Sequence, residues 1–142
     1  MAEQGPQKGK IKFKIISPLA PVVETEVDKV LLPLTSGPTL ILPRHAPLLA
    51  ALKCGKVITT TASKENTFFI SSGIVEVRRD ICALCTWGIK ESDIKQDEIR
   101  QRLENLKIHT PHSSMEKQIH DDLIHFLTNI LLILKKSAIK KI

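Results

Sequence analysis

Residues 41–55, ILPRHAPLLAALKCG, hold a lone histidine between two prolines, followed at once by an apolar run. Near neutral pH a histidine serves most often as a general base, a proton shuttle or a metal ligand. His45 therefore has three readings: base, ligand, or part of a stiff loop. Choosing among them depends on whether the chain supplies a second reactive group. Cys82 and Cys85 form a Cys-x-x-Cys in ICALCTW. A zinc half-site needs a second pair, and Cys54 stands alone. The two thiols also fall within a predicted strand, where residues three apart point to opposite faces and cannot share an ion. They are expected to be core and surface fillers. His109, His112, His120 and His125 cluster near the end of the chain. His120 and His125 are five apart, off the i, i+4 spacing of one helix face, and there is no His-Glu-x-x-His. These histidines read as solvated or groove-lining. Glu26 and Asp28 are expected on one strand face, without the cleft that paired-carboxylate chemistry requires. TSGPT carries a single glycine and cannot cradle a phosphate, and no nucleophile elbow or dinucleotide fingerprint is present. No feature supports catalysis, and no cofactor or metal is expected.

The elements that would carry these residues come in two textures. From Lys10 to Trp87 the chain reads as strands. In KIKFKII, lysines alternate with Ile11, Phe13 and Ile15, the period-2 pattern of a strand with one wet face. EVDKVLLP, TLILP, GKVITTT, NTFFIS and IVEVRRD follow, punctuated by SP, SGP, CGK, SSG and RRD. In IVEVRRD, Val75 and Val77 should face inward and Glu76 and Arg78 outward. Short strands at close spacing predict a β-sandwich or barrel. From Ser92 onward glycine is absent and helical periodicity takes over. Asp93 with Gln96 predicts a capped helix start, and Ile99, Leu103 and Leu106 form one stripe. Pro111 ends that helix. Ser113 with Glu116 caps a second helix whose stripe is Ile119, Leu123, Phe126 or Leu127, Ile130 and Leu134. A short connection makes the pair an antiparallel hairpin. The expected layout is an extension over 1–9, a sandwich over 10–88, a linker over 89–92 and a helical hairpin over 93–142. The fold class is α+β.

The chain has 142 residues, 21 basic and 15 acidic, for a formal charge of +6. The lysines are concentrated at the two ends, and aromatic residues make up only 4% with no tyrosine. Stacking platforms are scarce, so a nucleic-acid reader is disfavoured. Three cysteines argue against a disulfide framework and suit a reducing compartment. The opening MAEQGPQKGK lacks the apolar run of a signal peptide. The longest apolar stretch, residues 123–134, is broken by His125 and Asn129 and is shorter than the ~20 residues a membrane helix needs. A soluble chain is expected. Ile124, Leu131, Leu132 and Ile133 lie outside the stripe that one neighbouring helix would cover. Either the hairpin packs on the sandwich, or that surface fits a groove in a partner.

IISPLAP with EVDKVLLP, LPRHAPLLAALKCGKVIT, and FFISSGIVEVRRD occur in this order. Together they resemble the epsilon subunit of bacterial F-type ATP synthases, the delta subunit of mitochondria. The resemblance implies a non-catalytic rotor subunit of the central stalk. Its N-terminal domain would be a sandwich of two antiparallel sheets that binds the gamma subunit and the ring of c subunits, on the cytoplasmic face of the bacterial inner membrane. Membrane association would come only through the complex, and proton transport would be coupled to ATP synthesis. The loop with Ser36, Pro38, Arg44 and His45 would face the c ring, which makes His45 an interface residue stiffened by Pro43 and Pro47. The hairpin would fold on the sandwich or extend along gamma toward the catalytic alpha and beta subunits. It would restrain hydrolysis through Leu123, Phe126, Leu127, Ile130, Leu134, Lys135 and Lys136. The sequence departs from the family in three ways. Arg44 stands where the family often has glycine, and Pro38 where it often has an acid. Lys95 and Glu98 reverse the charges of the nucleotide-binding pattern some members carry, so no ATP binding is expected. The second helix is more apolar than is usual. The alternative from another class is a β-sandwich module, with its hairpin, for some other protein partner.

Overall fold

The computed structural model describes residues 9–17 and 22–140, with side chains in the last helix as far as Leu132. Among the described residues ten strands come first: β1 Ile11–Ile16, β2 Val23–Val27, β3 Lys29–Leu34, β4 Gly37–Ile41, β5 Leu48–Leu52, β6 Gly55–Thr61, β7 Lys64–Ile70, β8 Gly73–Arg78, β9 Ile81–Cys85 and β10 Gly88–Lys90. A 3₁₀ turn at Glu91–Asp93 precedes α1, Gln96–Ile108, and α2, Ser114–Lys140. The chain divides into two compact units, Met1–Glu91 and Ser92–Ile142.

The sandwich is built from one continuous ladder in the order β10-β7-β6-β3-β5-β8-β9-β1-β2, with β4 added beside β3. All pairs are antiparallel except β1 with β9. A twisted ladder of this length curls until its apolar faces meet. β3 makes the corner. Its Lys29–Leu31 end pairs with β6, while its far end pairs with β5 at one register position, Leu34 with Leu52. The enclosed core includes Phe13, Val30, Leu32, Ile41, Leu52, Val57, Phe68, Val75 and Leu84. The rings of Phe13 and Phe68 lie 5.3 Å apart, centroid to centroid. The predicted alternations hold: Ile11, Phe13 and Ile15 are buried, as are Val75 and Val77, while Glu76 and Arg78 are exposed.

Several local expectations are corrected. EVDKVLLP is not one strand, because the chain bends at Asp28 between β2 and β3. The Asp28 carboxylate accepts the Ala62 N–H at 2.8 Å and pairs with the Lys10 ammonium. Its own N–H donates to the Thr60 carbonyl at 2.7 Å. Asp28 is therefore a corner residue and does not share a strand face with Glu26. The run after Pro47 is itself a strand, β5. Its alternation is invisible in the sequence because both its faces are apolar.

At one end of the sandwich Ser71, Thr86 and Trp87 form a polar knot. Thr86 Oγ1 is 2.8 Å from the Ser71 carbonyl and 2.9 Å from Ser71 Oγ. The Trp87 N–H donates to Ser71 Oγ at 3.3 Å. Ser17 Oγ donates to the Thr86 carbonyl at 2.7 Å, joining the end of β1 to the same point.

The helix starts differ from expectation once. Asp93 belongs to the 3₁₀ turn, so α1 begins two residues later than a cap at Asp93 would place it. Lys95 is the N-cap residue, with no side-chain hydrogen bond. Asp97 and Glu98 in the first turn supply the negative charge that favours a helix N-terminus. At α2 the Ser113 cap forms, its Oγ accepting the Glu116 N–H at 3.1 Å. Glu116 then reaches back to the His112 N–H at 3.2 Å rather than to Ser113, so the box is half reciprocal.

Along the hairpin Ile99, Leu103, Phe126, Leu127 and Ile130 are buried and Leu106 and Leu123 half-buried. Ile119 does not join the stripe and is exposed. His120 takes the inward place at that level, its Nε2 bonded to the Leu106 carbonyl. One residue around a helix is a rotation of about 100°, which turns Ile119 outward.

Candidate functional site

The segment with the two prolines builds a tight turn over residues 42–45. Pro43 presets the first central position. Arg44 occupies the second with φ +67°, and the His45 N–H donates to the Leu42 carbonyl at 3.1 Å. That is a type II turn, whose second central position favours glycine because φ is positive there. The Arg44 N–H donates to Asp80 Oδ1 at 2.6 Å. His45 Nδ1 lies 2.6 Å from the Ala46 carbonyl, so it carries the proton in the neutral ring and Nε2 is left as the acceptor. The ring is half-buried and Arg44 is exposed. Among the described residues, no carboxylate or hydroxyl forms a pair with His45 that would make it a base.

Upstream, Ser36 lies in the exposed two-residue turn between β3 and β4, and Pro38 is exposed on β4. β4 spans about 17 Å and places Ser36 and Arg44 beyond its opposite ends. The four residues therefore do not form one compact cluster. Three of them share a strip instead, since Ser36, Pro38, Leu40, Leu42 and Arg44 are exposed and each residue between them is buried or half-buried, while half-buried His45 follows in the turn. The strand period sets this pattern. Leu31, opposite Leu40 in the ladder, widens the strip on the same face. Leu31, Leu40 and Leu42 went unmarked in the sequence, although TLILP already showed the alternation. Pro38 has no N–H to offer and faces Pro33 across the pair, which blunts an edge strand. The strip can present apolar contact, one guanidinium and one imidazole. This is binding chemistry, without a nucleophile beside a base.

The other sequence candidates are dispersed. Cys82 is buried, its thiol pushed up to about 12 by burial, and Cys85 is exposed on the opposite face. Among the described residues, no three His, Cys, Asp or Glu side chains are arranged to hold a metal. In the hairpin, His109 Nε2 is 3.1 Å from Glu116 Oε1, and the His109 ring is 6.2 Å from that of His112 and 6.0 Å from that of His120. His109, and then the His112 N–H, hold the Glu116 carboxyl below its ordinary range. Lys95 Nζ and Glu98 Oε1 pair with each other at 3.6 Å on the exposed surface of α1. Of the regulatory residues expected in α2, Phe126, Leu127 and Ile130 are buried and Leu123 half-buried. Ile108, Met115, Ile119 and Leu132 are exposed instead. Leu134, Lys135 and Lys136 lie outside the described side chains, as do the first eight residues and residues 18–21. Among the described residues, no helix is long and apolar enough to cross a membrane.

Residues 10–89 match the family described as ATP synthase, Delta/Epsilon chain, beta-sandwich domain. The ATP synthase epsilon chain of Dehalococcoides mccartyi strain BAV1 is 38% identical over 71 residues, 50% of this chain and 51% of that protein. The chain thus spans about half the length of that relative. The epsilon chain of Rhodospirillum rubrum is 30% identical over 95 residues, 66% of this chain and 71% of that one. That of Xanthomonas campestris pv. campestris strain B100 is 36% identical over 96 residues, 66% and 69% of the two chains. Among solved structures, a chain of the Euglena gracilis mitochondrial ATP synthase, OSCP/F1/c-ring, is similar with a TM-score of 0.60. It is 14% identical, and the match covers 93% of this chain and 86% of that one. A chain of the Tetrahymena thermophila mitochondrial ATP synthase central stalk/c-ring gives 0.51 at 13% identity, over 89% and 98%. At such identities the likeness is one of fold.

Proposed function

We propose, for a chain that belongs to the delta/epsilon-chain family of ATP synthases, the role of central-stalk rotor subunit. The sandwich joins the gamma subunit to the c ring and so couples proton flow to ATP synthesis in the catalytic alpha and beta subunits. The chain itself catalyses nothing and takes no cofactor. It sits peripherally on the cytoplasmic face of the bacterial inner membrane, held there by the complex. The helical hairpin restrains ATP hydrolysis. ATP does not control it, since the two side chains at the family's nucleotide pattern, Lys95 and Glu98, have reversed charge and pair with each other.

The observation that carries the reading is the exposed strip from Ser36 to Arg44, ending in the His45 turn, inside the segment that matches the family. A rotor joint transmits torque, and a turn fixed by a proline and by two backbone N–H bonds is stiff. The test compares His45→Ala and Arg44→Ala complexes for attachment of the catalytic head to the membrane sector. Loss of a packed interface side chain costs ~1–3 kcal/mol, whereas loss of a rim charge costs little. His45→Ala should therefore weaken attachment or coupling more than Arg44→Ala. Wild-type coupling in both variants would count against this face as the joint.

A further inference from the structure

We propose that Asp80 is a positioning residue that selects the conformation of the ring-facing turn. The claim rests on the reading that this turn meets the c ring.

A turn over residues 42–45 with proline at its first central position has two close solutions. Types I and II share the geometry of Pro43 and differ by a flip of the central peptide. That peptide joins Pro43 to Arg44, and its N–H is the Arg44 N–H. In type I, Arg44 would have φ near −90°, which any residue accepts. In type II its φ is positive, a region that disfavours a side chain bearing a Cβ. Arginine has no short polar group to bond its own backbone and offset that preference, as Asn or Asp does. Left to local propensity, residues 42–45 favour type I. The structure has type II, with φ +67° at Arg44.

What opposes the local preference is the partner of the flipping N–H. It donates to Asp80 Oδ1 at 2.6 Å, a short charge-assisted bond that the flipped peptide could not make. Asp80 is itself well anchored. It is the second residue of the two-residue turn joining β8 and β9, where Arg79 has φ +52° and Asp80 φ +61°. Its carbonyl accepts the Lys12 N–H at 2.8 Å, which ties that turn to β1. The carboxylate thus transfers the rigidity of three core strands to a turn that its own residues would not hold. Without it the central peptide flips, and Arg44 and His45 present a different face.

Asp80→Gly removes the carboxylate yet suits the hairpin, because a type I′ turn accepts glycine at that position. In the full-length chain, Asp80→Gly should raise the exchange rate of the Arg44 amide about tenfold or more. The strong Pro43 Hα to Arg44 amide contact seen by NMR in a type II turn should weaken, while the β8 and β9 amides stay protected. Asp80→Asn, which keeps a neutral acceptor, should fall between. In an Arg44→Gly background glycine holds type II unaided, so adding Asp80→Gly should change the turn less than twofold. In assembled complexes, Asp80→Gly should weaken attachment of the catalytic head to the membrane sector, and Arg44→Gly/Asp80→Gly should match Arg44→Gly alone. An unchanged turn in Asp80→Gly, or an equal effect in both backgrounds, would overturn the role of Asp80. A turn that flips while attachment stays at the wild-type level would leave Asp80's hold on the turn standing and overturn the ring-facing reading.

Discussion

Thr59 carries a hydroxyl into the sandwich with its Oγ1 fully buried and no hydrogen-bond partner among the described residues. A buried donor left unmade costs about 1–3 kcal/mol, and the isosteric valine has no such group. Thr59→Val should raise the unfolding free energy by about 1 kcal/mol in denaturant titration. A loss of stability would mean that the hydroxyl has a partner. Glu116 makes a second residue-level prediction. Its carboxyl is held below the ordinary value of 4.5 by the His109 hydrogen bond first, then by the His112 N–H. A carboxyl lowered in the folded state binds its proton more readily in the unfolded state. Its stabilisation is therefore full above pH 4.5 and is lost as pH falls through the lower folded value. Protection of the His112 amide, followed by hydrogen exchange, should drop on acidification below pH 4.5 in the wild type. In Glu116→Gln the His112 amide should lack that acid step, and an equal step in both would contradict the assignment. At this scale the sequence was legible where a residue's neighbours are local, as at the Ser113 cap. It was silent where the partner is remote: Asp28 with Ala62, Arg44 with Asp80, and His120 displacing Ile119 all depend on tertiary placement.

Among the elements, strands with one wet face were readable, because an alternation of charge and apolar side chain has a single explanation. β5 was hidden, since Leu48, Leu49, Ala50, Ala51 and Leu52 carry no polar marker for the exposed face. The turn joining β6 and β7 gave no signal either. Ala62 and Ser63 hold φ values of +48° and +69°, where Asn-Gly would have announced the hairpin. The SSG signal between β7 and β8 had a reason that only packing reveals. A Cβ at Gly73 would sit 2.2 Å from the Cys85 carbonyl and 2.8 Å from Thr86 Cβ. Backbone cannot yield there without loosening the knot of Ser71, Thr86 and Trp87 that ties five strands together. Overpacking of this kind costs about 1–3 kcal/mol. Gly73→Ala should lower the denaturation midpoint accordingly, and a wild-type midpoint would show that the strand end is more pliant than its contacts suggest.

At the scale of the whole molecule, the chain divides into two compact units between Glu91 and Ser92. The core cluster lies entirely within the sandwich, so that unit carries the apolar burial needed to fold by itself. Deleting Ser92–Ile142 should leave a folded sandwich that still assembles and couples. Hydrolysis by the truncated complex should rise above that of the full-length one, and unchanged hydrolysis would mean that the hairpin restrains nothing. The two-texture layout was visible in the sequence because the period of the apolar residues changes once, near Trp87. The strip along β4 was legible only in part, since three of its residues, with His45 at its end, were marked by resemblance and the leucines between them by neither chemistry nor charge. Whether this chain is a rotor subunit can be decided by affinity purification of the tagged chain from membranes of its own cells. Gamma, the catalytic alpha and beta subunits and the c ring should be recovered with it. A different stable partner, recovered with none of these, would contradict that role.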